Sequence, residues 1–403
     1  MTVIGDAASS TNVFIKDDTT CGRDPSRRAC IRPSTSTSWY LKNAMPLPLS
    51  DRAREAARAR SEALFAETEK APARSIEKAV LFAHLSLVDD DSRWAPCAVR
   101  HLNAGIDSAD ELCATGRWGL YGGLAGLGWA VERVSRILGA NTSDDLNKDT
   151  DAALLRELQR GRWWGSCDLE SGLAGIGVYF VERIPARSAI AGVKLVVDHM
   201  ESMAGQDWPR PWPSGAEFDV AGGLPGMMHV LAEAVAAGIQ AEVPVGLIER
   251  AADWLRTHHA PSHPLAWRRD LGTAAIAFRC ARITGRGEDR EFAERILDRC
   301  LAVSPADSAI TTASVRDGSA GIAQTFHLIY RSEGDPRCLE RAQAWFERTL
   351  AILQGRESAS NSGGDCFLDG DVGVVLALLS AATTGHAEWD QRLALSGRSL
   401  RCK

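Results

Sequence analysis

Charged residues stand before or inside several copies of a short glycine motif in this chain. Arg316 and Asp317 precede one copy, Arg268 and Arg269 fall at another, and Asp168 lies four residues before a third. Arginine has a permanent charge and a planar fork of N–H donors that fits carboxylates and phosphates. A carboxylate can act as a base or cap a helix. If the fold brings these copies together, the arginines predict either a pocket for an acidic or phosphorylated group or a set of internal ion pairs.

The glycine motif recurs along the chain with nearly constant spacing. Its second glycine stands at positions 126, 175, 226, 272, 321 and 373, so the intervals are 49, 51, 46, 49 and 52 residues. One G-x-x-G carries no information, but five copies and a damaged one, Arg269-Asp-Leu-Gly272, in near-constant register mark a repeat architecture. We predict structural roles for Gly123, Gly126, Gly172, Gly175, Gly223, Gly226, Gly272, Gly318, Gly321, Gly370 and Gly373.

Each copy opens an apolar run with helical periodicity. After Gly123 the apolar residues follow an i, i+3, i+7 rhythm as far as Leu138, and residues 372–382 are apolar on every side. A period of about 50 residues holds two helices of roughly 15 to 20 residues and two loops. The repeating unit is therefore a helical hairpin, and the fold class is all-α.

Composition bounds the class of protein. The chain has 403 residues, 45% of them apolar, which is enough for a large core in one or two domains. Its 46 basic and 52 acidic residues leave a net charge of -6, which gives no general attraction to nucleic acid. No apolar run approaches the roughly 18 to 20 residues that cross a bilayer, and ten cysteines without a C-x-x-C pair fit a reducing compartment. We therefore expect a cytoplasmic protein with no nucleic-acid partner and no membrane insertion.

The chain divides into an arm and one domain. Residues 1–45 are rich in Ser, Thr, Asp and Arg and have no periodic apolar face, which predicts a flexible N-terminal arm. Residues 46–403 then form a single domain. It begins with helices predicted at 51–70 and 73–87, and loops are predicted after Gly139, from Pro305 and from Gly355.

The repeats resemble those of the lanthionine synthetase C family over about residues 75–385. The segments that carry the likeness are WGLYGGLAGLGWAVERV (118–134), CDLESGLAGIGVYFVER (167–183), FDVAGGLPGMMHVL (218–231), AWRRDLGTAAIAF (266–278), VRDGSAGIAQTFHLIYR (315–331) and FLDGDVGVVLALLSAA (367–382). The resemblance implies an α/α toroid of six to seven helical hairpins with the glycine motifs at the starts of the inner helices. It also implies lanthipeptide-type biosynthesis, in which a zinc-bound cysteine thiolate adds to a dehydrated residue of a ribosomally made precursor peptide.

In such a ring we expect the glycines to let crowded inner helices approach one another closely. We also expect the free amides at the helix starts to point into the central opening. That opening is then a natural binding site.

The zinc ligands of the family are replaced in this chain. The family has a Cys two residues before the first glycine of the fourth copy, where this chain has Trp267, or Arg268 with a one-residue gap. Its Cys-His pair in the fifth copy corresponds to Arg316 and Asp317, and its catalytic His in the third copy to Gly222. Trp and Arg do not coordinate zinc. We therefore predict that the zinc site is lost and that the chain has no cofactor.

One acid of the family's site is kept. Asp168 matches the family's Asp in the second copy and is our candidate catalytic residue, with a helix cap as the alternative. A relocated metal would need Cys167, Cys366 and His263, which lie near the same rim.

Arginines and loop tryptophans are the candidate peptide-binding residues. We expect the arginines to gather with Asp270, Asp317, Asp369 and Asp168, as a pocket or as internal ion pairs. Aromatic side chains around an opening can bind an extended peptide, although they can equally form the core of the loops. The predicted peptide-binding residues are Arg268, Arg269, Arg316, Asp317, Trp267, Trp164 and Trp212.

Three functional interpretations follow. The leading one is a pseudoenzyme that binds a precursor peptide, alone or in a complex with a dehydratase, a kinase/lyase or another maturation enzyme. The second is a metal-free or diverged peptide cyclase that forms thioether-type crosslinks with Asp168 and the arginines. The third is an α/α toroid glycosidase-like enzyme with paired carboxylates, since Asp168 and Asp219 are equivalent by repeat.

Overall fold

The computed structural model describes residues 13–14, 30–31, 49–70, 76–139, 145–207, 218–259, 267–357, 364, 366–383 and 389–394. The first four described residues form two short antiparallel strands that pair with each other, β1 (Val13–Phe14) and β2 (Cys30–Ile31). The arm predicted at residues 1–45 lies otherwise outside the described residues, and so does Trp212.

The remaining elements are helices. They are α1 (Ser50–Lys70), α2 (Ile76–Val88), α3 (Trp94–Ile106), α4 (Ala109–Ala114), α5 (Leu124–Ile137), α6 (Lys148–Leu158), α7 (Leu173–Arg183), α8 (Arg187–Asp207), α9 (Leu224–Ala236), α10 (Glu242–His258), α11 (Trp267–Thr284), α12 (Gly287–Leu301), α13 (Ser319–Glu333), α14 (Pro336–Glu357), α15 (Asp371–Ala382) and a 3-10 helix (Trp389–Leu393). Within these described elements, no helix combines the length and apolar character needed to cross a membrane.

Seven of the described helices form a closed inner ring. In chain order α2, α5, α7, α9, α11, α13 and α15 each contact the next, and α15 returns to α2. Outer helices α3, α6, α8, α10, α12 and α14 each pack on the inner helix that precedes them, and α1 packs on the outside of α15. The predicted all-α toroid of six to seven hairpins is confirmed. The first and last α-helices of the described chain supply the seventh pair.

Apolar residues enclose the inner helices on all sides. Every residue of α15 is buried, as its uniformly apolar sequence predicts. Several inner helices are shorter than predicted, with 11 residues in α7 and 13 in α9, whereas outer helix α14 has 22. The difference arises because the long loops before the inner helices wrap over the helix starts instead of extending them.

Carbonyl oxygens of these loops accept hydrogen bonds from the first backbone N–H groups of the inner helices. At α5, Leu124 N donates to Arg117 O over 2.8 Å, and at α7, Leu173 N donates to Ser166 O over 3.0 Å. The first residues of α13 and α15 likewise donate to the carbonyl oxygen of the residue seven positions earlier in the chain. The expectation that free helix-start amides would face the central opening is therefore wrong for these helices.

The same loops explain the second glycine of the motif. A Cβ at Gly126 would overlap the carbonyl oxygen of Leu120, and a Cβ at Gly321 would overlap that of Val315. In both copies the overlapped residue lies six positions earlier in the chain. The glycine is needed because a loop backbone crosses the helix start, and not because neighbouring inner helices crowd together.

The segment 389–394, which we call the plug, lies inside the ring. Trp389 Nε1 donates to Ser380 Oγ of α15 over 2.8 Å, Asp390 accepts from Gln324 of α13, and Gln391 accepts from Arg133 of α5. Since α5 and α13 are not neighbours in the ring, a segment that touches both must lie between them. Every residue of the plug is buried, including the polar ones.

Candidate functional site

A cavity of about 480 Å³ lies at the N-terminal end of the inner ring, and we call it the mouth cavity. This volume is within the usual range of ligand pockets. It is lined by the loops before inner helices, the first turns of α11 and α13, and the plug. Its charged lining residues are Asp219, Arg268, Arg269, Arg316 and Asp317.

The repeat places apolar side chains in this cavity. Leu169, Val220 and Val315 each stand three residues before the first glycine of their copy, and all three line it. Leu368 adds to them, and Leu393 does so from the plug. The cavity therefore has an apolar part with charged groups beside it, and Leu393 of the plug contributes to its wall.

Two arginines reach the cavity because the fourth copy of the motif lacks its first glycine. The residue equivalent to the first residue of α5 or α7 is Asp270, yet α11 already begins at Trp267. Arg268 and Arg269 therefore belong to the first turn of a helix and line the cavity. Arg268 Nη1 donates to Asp317 O over 3.0 Å, while its buried Nε has no hydrogen-bond partner among the described residues.

Arg316 lines the same cavity and bonds to two carboxylates. Its Nη1 and Nη2 meet the carboxylate of Glu170, with Nη2 at 3.2 Å from Oε2, and its Nε lies 3.0 Å from Asp369 Oδ1. The hydrogen bond to Glu170 raises the pKa of Arg316 above its ordinary value. The alternative prediction of internal ion pairs thus describes part of the arrangement.

Glu170 was not among the residues predicted from the sequence. It stands two residues before Gly172, which is the repeat position that Arg316 holds before Gly318. A comparison of equivalent positions in all copies, rather than only those that match the family's ligands, would have found it.

The structure separates the two acids of the glycosidase interpretation. Asp219 lines the mouth cavity, and burial raises its pKa. Asp168 does not line it, because its carboxylate accepts hydrogen bonds from Ser171 N at 2.6 Å and Gly172 N at 3.1 Å in its own loop. Asp168 therefore stabilises the loop before α7 and does not cap the helix, because neither amide belongs to α7, which begins at Leu173.

The expectation that Asp270 would join the arginines is wrong. Asp270 is buried on the side of α11 that faces the outer helices, where His259 Nε2 lies 2.8 Å from its Oδ1. Arg299 of α12 lies 3.8 Å from its other carboxylate oxygen. Its direction follows from helical geometry, since adjacent residues on a helix point to different faces.

The predicted tryptophans lie in different environments. Trp267 is 7% exposed and packs on Trp345 of α14 with ring centroids 5.6 Å apart, so the structure does not bring it to the cavity. Trp164 is 82% exposed in the loop before α7, with the Arg162 guanidinium 4.8 Å from its ring. The structure leaves Trp164 open to a partner.

The donor set at the mouth cavity does not fit zinc. Among the described residues, no Cys or His lines the cavity, and no three His, Cys, Asp or Glu side chains are grouped to hold a metal ion. Cys167 is buried with its Sγ 3.4 Å from Met203 Sδ, and burial raises its pKa to about 11. Cys366 is exposed before α15, and His263 lies outside the described residues.

The closed ring of hairpins with a cavity at the inner helix starts defines the protein as an α/α toroid. The family model "Lanthionine synthetase C-like protein" matches residues 78–278. The chain belongs to the lanthionine synthetase C-like family. A solved structure of a nisin cyclase has the same fold, with a TM-score of 0.66 and 15% sequence identity over 84% of this chain and 97% of that chain. No curated protein sequence matches the chain significantly.

Proposed function

We propose that this chain is a peptide-binding member of its family, which holds an acidic segment of a precursor peptide at the mouth cavity and has no zinc-activated thiolate there. One observation carries the proposal. The cavity lies at the starts of the inner helices, and arginines line it at the positions where the resemblance implies zinc ligands.

The lining suits a short peptide segment. Its apolar residues can cover one or two aliphatic side chains, each of which contributes roughly 1.5–3 kcal/mol when fully buried. Arg268 lines the cavity with a side chain that is 26% exposed, and its guanidinium carries N–H donors. A ligand carboxylate that accepts from this group would form a charge-assisted hydrogen bond.

The chemistry of the lining argues against activation of a thiol. An ordinary cysteine thiol has a pKa of about 8.5 and is only a few per cent thiolate at neutral pH. Zinc would stabilise the thiolate, but the guanidinium groups of Arg268 and Arg316 offer no lone pair to the metal. The chain therefore holds its peptide for other enzymes of a cytoplasmic pathway, such as a dehydratase or a kinase/lyase, and the exposed Trp164 offers them a contact near the mouth.

The test uses a dehydrated, cysteine-containing peptide with an Asp-Leu pair and measures both affinity and loss of thiol. We expect binding without thiol loss above the uncatalysed control. Arg268→Gln should weaken binding about tenfold, because a hydrogen bond to a charged group is lost. The matched control Arg58→Gln, on outer helix α1 and 62% exposed, should not change affinity. Absence of binding by the wild-type chain would contradict the proposal.

A metal-free cyclase is the second candidate, and Asp219 is the observation that favours it. It is a carboxylate in the cavity with a pKa raised by burial, a property found at many acid/base sites. In the same assay this candidate predicts thiol loss above the control by the metal-free chain.

A further inference from the structure

An ion pair joins opposite sides of the mouth cavity. Glu170 lies in the loop before α7 and Arg316 in the loop before α13. In the inner ring, α9 and α11 separate these two helices on one side, and α15, α2 and α5 separate them on the other. We call this ion pair the crossing pair, because it spans the opening instead of linking neighbouring repeats as Arg268 and Asp317 do.

Glu170 binds the two terminal nitrogens of Arg316, which are the donors that a ligand carboxylate would need. Both terminal nitrogens of the guanidinium meet the Glu170 carboxylate, while Nε meets Asp369. Two parallel N–H···O bonds are also the geometry in which arginine binds a free carboxylate ligand. Arg316 is therefore shaped for a carboxylate and holds one from its own chain.

The crossing pair is more exposed to solvent than the apolar residues beside it. The side chains of Glu170 and Arg316 are each 33% exposed, whereas the adjacent Leu169 and Val315 are 2% and 6% exposed. Arg316, Leu169 and Val315 line the same cavity. A peptide side chain that is buried against these apolar residues therefore lies next to the crossing pair.

Separating Glu170 from Arg316 costs little free energy. Ion pairs that remain partly exposed to solvent contribute little to stability, since water solvates the separated charges well. After separation Glu170 can return to solvent, and a ligand carboxylate can restore both hydrogen bonds of the Arg316 fork. Asp369 can keep its contact with Nε throughout, which holds the guanidinium at the mouth.

We propose that Glu170 is an internal stand-in for the carboxylate of a peptide ligand, and that Arg316 exchanges one carboxylate for the other when the peptide binds. The inference rests on the proposed function and specifies its ligand class. The ligand is a peptide segment that presents an Asp or Glu side chain beside an apolar one. Because Glu170 competes for Arg316, a peptide carboxylate replaces it only if its interaction with Arg316 is the stronger one.

The test measures affinities of the full chain for three blocked octapeptides that carry aspartate, asparagine or lysine beside one leucine. Wild type should prefer the aspartate peptide. Glu170→Gln should raise its affinity for that peptide about fivefold, the factor that corresponds to one exposed ion pair of ~1 kcal/mol. Its affinity for the asparagine peptide should stay unchanged. Glu201→Gln, exposed on outer helix α8, makes the same charge change and should alter nothing.

Arg316 provides the second arm of the test. Arg316→Gln should reduce the preference for aspartate over asparagine to the part that Arg268 supplies, and adding Glu170→Gln to it should not restore the lost part. Thermal unfolding of each variant verifies that it folds. Equal affinities for the aspartate and asparagine peptides in wild type and in Glu170→Gln would overturn the exchange while leaving peptide binding intact.

Two other outcomes also count against the exchange. Tighter binding of the lysine peptide, weakened by Glu170→Gln, would mean that Glu170 is a receptor for a cation. Absence of binding for all three peptides would contradict the proposed function itself, and the exchange with it.

Discussion

At the scale of single residues, two helical glycines respond oppositely to the same change. Gly126→Ala places a Cβ against the carbonyl oxygen of Leu120, so backbone must shift, and we expect a loss of about 2–3 kcal/mol in the free energy of unfolding. Gly246→Ala, in α10, meets open space and should stabilise the chain by about 0.5–1 kcal/mol. Urea denaturation of both variants measures the difference. Equal effects of the two substitutions would contradict the loop-crossing explanation.

Asp168 gives a second prediction at this scale. Its carboxylate accepts from the amides of Ser171 and Gly172, so Asp168→Ala should cost about 1–2 kcal/mol of stability, because two hydrogen bonds to a charged acceptor are lost from the loop. Peptide affinity should be unchanged, because Asp168 does not line the mouth cavity. Calorimetric unfolding and the binding assay examine the two effects separately. A large loss of affinity with unchanged stability would return Asp168 to the binding site.

The sequence predicted single residues at the cavity unevenly. Arg268, Arg269, Arg316 and Asp317 could be placed there because the repeat aligns them with neighbouring copies. Asp270 could not, because the helix start in its copy moved and turned its side chain toward the outer helices. The direction in which a side chain points depends on where its helix begins, and sequence patterns define that boundary poorly.

At the scale of elements, the helices could be predicted from the sequence and the plug could not. The apolar periodicity of α5 and the continuous apolar run of α15 define the two helices, since most of their residues face apolar neighbours. Asp390, Gln391 and Arg392 are polar, and a sequence pattern assigns such residues to the surface. They are buried because the ring supplies a polar partner for each, such as Gln324 for Asp390 and Leu120 O for Arg392.

The plug gives the prediction at this scale. Trp389 is 1% exposed, packs edge-on against Phe367 and donates to Ser380, so Trp389→Ala should lower the free energy of unfolding by about 3–5 kcal/mol. Trp164→Ala removes the same side chain from a site that is 82% exposed and should change stability by less than about 0.5 kcal/mol. Chemical denaturation compares the two. A small effect of Trp389→Ala would mean that the plug contributes little to the ring.

At the scale of the whole molecule, the repeat predicted the ring but not how it closes. Six glycine motifs in register indicate hairpins that stack on their neighbours. The seventh pair joins α1 to α15, near opposite ends of the chain, and Arg54 Nη2 of α1 donates to Ala382 O over 3.2 Å. No motif marks α1, because an outer helix needs only one apolar face and resembles any other amphipathic helix.

We infer that the ring is retained while none of the described residues at its mouth cavity is a Cys or His that could hold zinc. Metal analysis of the purified full chain, after equilibration with excess zinc and removal of unbound metal, tests it most directly. We predict far less than one zinc ion per chain, and unchanged affinity for an acidic peptide in the presence of a chelator. One zinc ion per chain, lost on substitution of cysteine or histidine, would contradict the account.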